Sequence, residues 1–224
     1  MKQVLKNKNK RLKRLFILTA VIILTLSLNA QSNFEEIMSE TLEEFGNSST
    51  PEEMIEVANK FERIASVDTS EWLPLYYASF IHCILSFRTQ DAKQKETYIE
   101  KAQSVMDKAM LITENESELY TLQGMIYQSL MAIDPITNGQ IYGSKADNSF
   151  KKATSLNPKN PRPYYMQAVS VFYTPEQFGG GKKSALPLFE KAMELYETFQ
   201  PENPLYPNWG KEDCESQLES CKSS

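Results

Sequence analysis

The chain has 224 residues, with 24 basic and 29 acidic side chains, a hydrophobic fraction of 41% and one histidine. Its length suits one or two ordinary domains or a single array of repeats, and its hydrophobic fraction excludes wholesale disorder. A single histidine also removes most metal-binding and acid–base chemistry that depends on imidazole.

The first 30 residues have the pattern of a secretory signal peptide. Residues 1–14 carry seven basic side chains and no acid, and the uncharged run LFILTAVIILTLSL follows at 15–28. That run is shorter than the roughly 20 residues that span a bilayer as a helix. We expect cleavage near Ala30 and a periplasmic or secreted mature chain that is not inserted in the membrane. Signal-peptide cleavage sites usually have a small residue three positions before the cut, and Leu28 is large. An uncleaved signal anchor in the inner membrane is therefore the alternative.

Cleavage would change the electrostatics of the chain. It removes seven basic residues and no acid, so the formal net charge falls from −5 to −12. A field of that sign repels nucleic acid and anionic lipid, and we exclude both as partners.

Helical periodicity runs through most of the remaining sequence. Thr50-Pro51-Glu52-Glu53 is typical of a helix start, with a capping residue, a proline in the first turn and acids near the positive end of the helix dipole. Stretches of about 12 to 22 helical residues alternate with polar joints, which predicts stacked antiparallel helix pairs. The joints are expected at 46–49, 67–70, 89–91, 114–116, 134–143, 157–161, 174–181 and 200–208.

A small-and-large pattern repeats in three of these stretches. Each has an alanine, a large apolar residue four positions later, an alanine three after that and an apolar residue three further on, all on one helical face. The three sets are Ala102, Met106, Ala109 and Ile112; Ala146, Phe150, Ala153 and Leu156; and Ala185, Phe189, Ala192 and Leu195. The preceding helices carry a matching pattern, which in the middle unit is Tyr120, Gly124 and Tyr127.

These motifs resemble those of the tetratricopeptide repeat (TPR) family, over roughly residues 71–199. The resemblance implies an all-α solenoid of about three to four helical hairpins with a C-terminal capping helix. Residues 31–70 form a degenerate leading hairpin, and residues 200–224 an extended lead-in and the cap. The sequence departs from the family pattern in the lengths of its units, with about ten extra residues near 133–143, about five near 174–183 and a longer second helix in the first unit. Gln123 and Gln167 also stand where the family prefers leucine.

The residues offer little chemistry, so we predict no catalytic site, no cofactor, no metal ion and no enzymatic activity. The Gly-rich segment at 178–184 lacks the first glycine and the Ser/Thr of a phosphate-binding loop, and reads as a flexible joint. His82 has no second ligand at metal-binding spacing, and Cys83 in an apolar stretch is expected to be a small buried side chain.

The leading functional hypothesis is an exported binding protein that presents a groove, lined by the first helix of each hairpin, to a protein or peptide. The alternative is a periplasmic transport accessory subunit that binds a small hydrophobic ligand. The resemblance to TPR proteins assigns the following groove positions: Leu73, Tyr76, Phe80, Cys83, Glu118, Thr121, Met125, Gln128, Arg162, Tyr165, Val169 and Phe172. A competing interpretation is that the long joints or the C-terminal Pro-rich segment fold over this groove and use its aromatic residues as ordinary core.

Overall fold

The computed structural model describes residues 33–223, and every regular element within that range is helical. Its helices are α1 (residues 33–47), α2 (Pro51–Val67), α3 (Leu73–Arg88), α4 (Ala92–Ile112), α5 (Ser117–Met131), α6 (Pro135–Leu156), α7 (Pro161–Tyr173), α8 (Lys182–Thr198) and α9 (Lys211–Lys222), with a 3₁₀ turn at Glu176–Phe178 between α7 and α8. No helix of residues 33–223 is long and apolar enough to cross a lipid bilayer. The signal-peptide prediction for residues 1–30 lies outside the described residues.

The chain divides into two structural units, residues 1–46 and residues 47–224. The first is described only through the greater part of α1, whose turns include a bond from the Thr41 hydroxyl to the Ile37 carbonyl. The pairing of α1 with α2 as a leading hairpin stays a prediction. The second unit contains α2 to α9 and all of the features discussed below.

Helix starts follow the local sequence signals. Thr50 caps α2 with a full capping box, because its hydroxyl accepts from the Glu53 amide and the Glu53 carboxylate accepts from the Thr50 amide. Asp91 and Asn160 cap α4 and α7 in the simpler way, each accepting a backbone N–H from the first turn.

The predicted long joint at 133–143 is wrong, because α6 begins at Pro135 and runs for 22 residues. Asp134 accepts from the amides of Ile136 and Thr137, and Pro135 fits the first turn, so this dipeptide starts a helix despite the glycines that follow. The Asn138 side chain also donates to the Leu130 carbonyl, which ties the added turns to α5.

The predicted alanine positions are confirmed as packing contacts. All six alanines of the repeated pattern are at most 2% exposed, and the phenylalanines between them, Phe150 and Phe189, are fully buried. Consecutive helices pack together from α2 to α9, and α3, α5 and α7 also pack against one another in turn. This is the arrangement of stacked hairpins, in which the first helix of each pair lies beside the first helix of the next.

Gln123, which departs from the TPR pattern, has a partner that explains it. Its side-chain amide donates to Gln103 Oε1 at 2.8 Å and accepts from Gln103 Nε2 at 3.0 Å. Because both amides are satisfied by each other, a polar side chain is accommodated between α4 and α5 where leucine is usual.

The segment between α7 and α8 is a joint, as predicted, and it is tightly wound. Gly179 and Gly181 have positive φ angles of 85° and 87°, which favour glycine. The Gly181 amide donates to the Val171 carbonyl, which fastens the turn to the end of α7.

Candidate functional site

The groove positions lie on α3, α5 and α7, the three helices that pack side by side. Each of them is the first helix, or helix A, of its hairpin, and we call the surface that they form the helix-A face. It consists of Tyr76 and Phe80 of α3, Thr121, Met125 and Gln128 of α5, and Arg162, Tyr165, Val169 and Phe172 of α7. The Gln128 side chain donates to the Met166 carbonyl and to the Ser170 hydroxyl, which joins α5 to α7 across this face.

Most of the helix-A face is buried. Seven of its nine residues are at most 8% exposed, while Val169 and Phe172, at the C-terminal end of α7, are half-buried. Leu73, Cys83 and Glu118, the other assigned positions, are buried as well. Cys83 is a packed side chain that is 1% exposed, as the sequence predicted, and this burial raises the pKa of its thiol.

The segment between α8 and α9 covers part of this face, as the competing interpretation expected. We call residues 199–210 the strap. The Trp209 ring stacks on Phe80, with centroids 5.1 Å apart and an angle of 21° between planes. Its indole Nε1 donates to the Tyr76 hydroxyl at 2.8 Å. Next to this contact, Tyr206 meets Trp72 edge to face.

Two tyrosine hydroxyls fasten the strap backbone to the helices. Tyr77 donates to the Leu205 carbonyl at 2.6 Å, and Tyr196 donates to the Trp209 carbonyl at 3.2 Å. Gly210, which follows, has a φ of 99° and leaves no room for a side chain beside the Tyr196 hydroxyl. The strap therefore ends at a fixed turn and continues into α9.

The two charged groove positions form a buried ion pair. Arg162 donates from Nε to both Glu118 carboxylate oxygens, at 2.8 and 3.0 Å, and from Nη2 to Oε1. The side chains are 0% and 3% exposed, and Asn160 donates a further bond to Glu118. The aromatic rings of Phe199 and Trp209 cover the guanidinium, with centroids 4.6 and 5.9 Å from its central carbon.

Arg162 keeps one unused donor. Its Nη1 is buried and has no hydrogen-bond partner within residues 33–223. Burial on its own lowers the pKa of Arg162, but the Glu118 carboxylate outweighs that effect and the pKa is raised, so the side chain stays charged.

A cavity of about 390 Å³ lies at the N-terminal end of α5 and is lined in part by strap residues and by Glu118. Its walls are mainly polar, and they include three carboxylates and a single lysine. Burial, together with Glu118 and Glu202, raises the pKa of Glu116, which also hydrogen-bonds Tyr206. The lining residues are Glu116, Glu118, Asn157, Lys159, Thr198, Phe199, Gln200, Glu202 and Tyr206.

His82 lies away from the helix-A face, between α3 and α4. Its ring stacks on Tyr98 at 6.4 Å, it is 4% exposed, and its Nδ1 has no partner among the described residues. Burial lowers the pKa of His82, an effect that Glu62 opposes and Lys101 adds to. The predicted role as a packed histidine agrees with this environment.

We expect His82 to make the protein less stable in mild acid. The unfolded chain binds a proton near the ordinary histidine pKa of about 6.5, while the folded chain resists it, so stability falls as the pH drops from about 6.5 towards the lowered folded value. Urea unfolding between pH 7.5 and 5 measures this slope. H82Q should flatten it, and an equal slope in H82Q would assign the effect to other groups.

Comparison with known structures finds a relative that matches most of the chain. The structure of the HusA haemophore from Porphyromonas gingivalis superposes with a TM-score of 0.75 at 32% sequence identity, and the match covers 85% of this chain and 93% of HusA. The chain belongs to the HusA family. No protein-family model and no curated protein sequence matches it.

A second comparison concerns the fold alone. A thermophilic TPR protein from Thermus thermophilus has a TM-score of 0.55 at 16% identity, with 89% of this chain and 95% of that one covered. The helical-repeat architecture predicted from the sequence is therefore confirmed, and the HusA family shares it.

The sequence allowed for a C-terminal segment over the groove but did not indicate which of its residues would make the contacts. Glu118 and Arg162 occupy equivalent positions in adjacent repeats, and their opposite charges were the available signal that they pair. The contacts of Trp209 with Tyr76 and Phe80 had no sequence signal, because spacing along the chain says nothing about contacts across more than 100 residues.

Proposed function

We propose that this protein is an exported, non-enzymatic binding protein whose ligand is a planar, largely apolar molecule of the haem class. The observation that carries the proposal is the extensive match to HusA, whose name describes it as a haemophore. The aromatic character of the helix-A face supports it, because flat aromatic side chains stack on flat ligands at low entropic cost.

The cavity and the helix-A face differ in how well they suit such a ligand. Besides the paired Glu118, the cavity near Glu116 has the carboxylates of Glu116 and Glu202 on its walls, and these would repel the propionates of haem. The helix-A face offers Tyr76, Phe80, Met125 and Tyr165, and its charged residues are already paired. We therefore propose the helix-A face as the binding surface.

The sole histidine does not lie on this surface, so the proposed binding does not depend on it. Titration of the protein with haem, followed by the Soret absorbance, tests the function directly. We expect saturable binding with the same affinity in H82Q and in the native chain. Absence of saturable binding would contradict the proposal, and loss of binding in H82Q alone would move the site to α3 and α4.

A second candidate ligand is a peptide, and the strap itself favours it. The lead-in predicted to be extended instead turns at residues 203–206, where the Tyr206 amide donates to the Asn203 carbonyl. Residues 199–210 are a non-helical segment with three prolines, and Trp209 stacks on Phe80 of the helix-A face. A partner protein with a similar segment would use the same surface. Mass spectrometry of the protein purified from its native envelope separates the two candidates, because one predicts a copurified small molecule and the other a copurified polypeptide.

We further propose that the chain acts outside the cytoplasm, after loss of residues 1–30. The basic and apolar pattern of that segment supports export, and the haemophore relative agrees with an extracellular binding role. N-terminal sequencing of the exported protein should give a start near Gln31. Recovery of intact Met1 in the membrane fraction would indicate an uncleaved anchor.

A further inference from the structure

We propose that the strap is a displaceable internal occupant of the ligand site, in which Trp209 holds the place of a planar aromatic ligand that carries a carboxylate. The inference rests on the proposed function, because it explains how a covered helix-A face can accept a ligand. It assigns the ligand a stacking position on Phe80 and a polar contact with Arg162.

The contacts of Trp209 are those that a flat ligand would make. Its indole lies nearly parallel to the Phe80 ring and donates its one N–H to Tyr76. Burial and the nearby Glu118 carboxylate raise the pKa of Tyr76 well above its usual value, so the phenol remains neutral and can exchange one donor for another. A planar macrocycle stacked on Phe80 would replace the indole contact with a larger one of the same kind.

The Nη1 group of Arg162, which has no hydrogen-bond partner within residues 33–223, indicates that the ligand carries a carboxylate. Nε and Nη2 face Glu118, so Nη1 points to another side of the planar guanidinium, and it has no partner in the described chain. Both rings that cover this guanidinium, Phe199 and Trp209, belong to the strap. When the strap lifts, Nη1 becomes available to a ligand carboxylate, the acceptor that arginine binds most strongly.

The strap is the part of this site that can move without breaking a helix. It lies between α8 and α9 and contains Pro201, Pro204 and Pro207, which have no backbone N–H to commit to the fold. Its tryptophan is only half-buried. The strap is fastened by side-chain contacts, among them the Tyr77 hydroxyl to the Leu205 carbonyl, rather than by a helical ladder.

This arrangement predicts that one substitution, which removes a hydrogen bond, will increase the affinity for the ligand. Tyr77 lies behind the strap, stacked on Phe61, and is not part of the helix-A face. Y77F removes one buried hydrogen bond that holds the strap closed, which raises the population of the open form. Because a ligand that needs the open form binds more tightly as that population rises, we expect the haem affinity to increase by about three- to tenfold.

A matched control removes a comparable bond elsewhere on the same helix. The Ser79 hydroxyl donates to the Ala102 carbonyl at 2.8 Å, between α3 and α4, and does not involve the strap. S79A should lower the unfolding midpoint much as Y77F does and leave the haem affinity unchanged. Haem titration of the native chain, Y77F and S79A, with thermal melts of all three, therefore separates strap release from general loosening.

A second experiment tests whether the carboxylate of the ligand contributes to binding. The dimethyl ester of the same porphyrin keeps the flat ring and lacks both charges, and we expect it to bind about tenfold or more weakly. Tighter haem binding by Y77F with weaker binding of the ester supports the inference. Unchanged or weaker binding by Y77F overturns the strap as an occupant while the proposed function stands, and equal binding of the ester overturns the Arg162 contact. Failure of all three proteins to bind haem overturns the proposed function and the inference together.

Discussion

R162M is expected to lower the free energy of unfolding by about 3–5 kcal/mol, because it leaves the Glu118 carboxylate buried without its cation. Glu118 is 3% exposed, and Arg162 supplies three of its hydrogen bonds. Asn160 alone cannot neutralise the remaining charge. Equilibrium unfolding in urea at neutral pH measures the loss.

The double variant E118L/R162M provides the control. Replacing both members of a buried ion pair with apolar side chains often restores stability, since no unpaired charge remains. We expect the double variant to be more stable than R162M by at least about 2 kcal/mol. If R162M loses less than about 1 kcal/mol, or if the double variant is the less stable of the two, the buried pair does not carry the stability assigned to it.

G124A is expected to destabilise the protein by up to about 3 kcal/mol, because α5 and α6 approach too closely at this point for a methyl group. A Cβ atom at Gly124 would lie 2.6 and 2.7 Å from two ring carbons of Phe150, and that ring is fully buried. Thermal or urea unfolding gives the loss.

Substitution of Gly139 provides a control that should stabilise the protein rather than destabilise it. It lies inside α6, and a Cβ atom there would meet nothing within 4 Å. G139A should stabilise the helix by about 0.5–1 kcal/mol, since alanine loses less backbone entropy than glycine. A combined variant, G124A/F150L, should recover part of the G124A loss, and no recovery would mean that the close approach is not the cause.

The repeat architecture could be read from the sequence because it depends on local patterns. The spacing of Ala146, Phe150 and Ala153 defines one face of a helix, and burial of that face follows in any stack of hairpins. Caps such as Thr50 and Asn160 act within four residues, so their effect is also encoded locally. The groove positions came from the resemblance to TPR proteins, applied once the hairpins were aligned.

Local patterns were insufficient at residues 134–143. The sequence predicted a joint there, whereas the structure has a helix that begins at Pro135 and includes the glycines at 139 and 143. The contacts of the resulting turns with α5 offset the low helix propensity of glycine, among them the stack of Tyr142 on Tyr127 and the bond from Asn138. A preference of about 1 kcal/mol per glycine is small enough for such packing to override.

By itself, the sequence determined that this chain is an array of helical hairpins, which the structure confirms. Only the tertiary structure decided that Glu118 pairs with Arg162 and that Trp209 covers that pair and Phe80. Trp209 donates to a tyrosine 133 positions away in the chain. Periodicity within a helix constrains neighbours three or four residues apart. It does not constrain where a non-helical, proline-containing segment will lie, because that position depends on the free energy of contacts made after the helices have assembled.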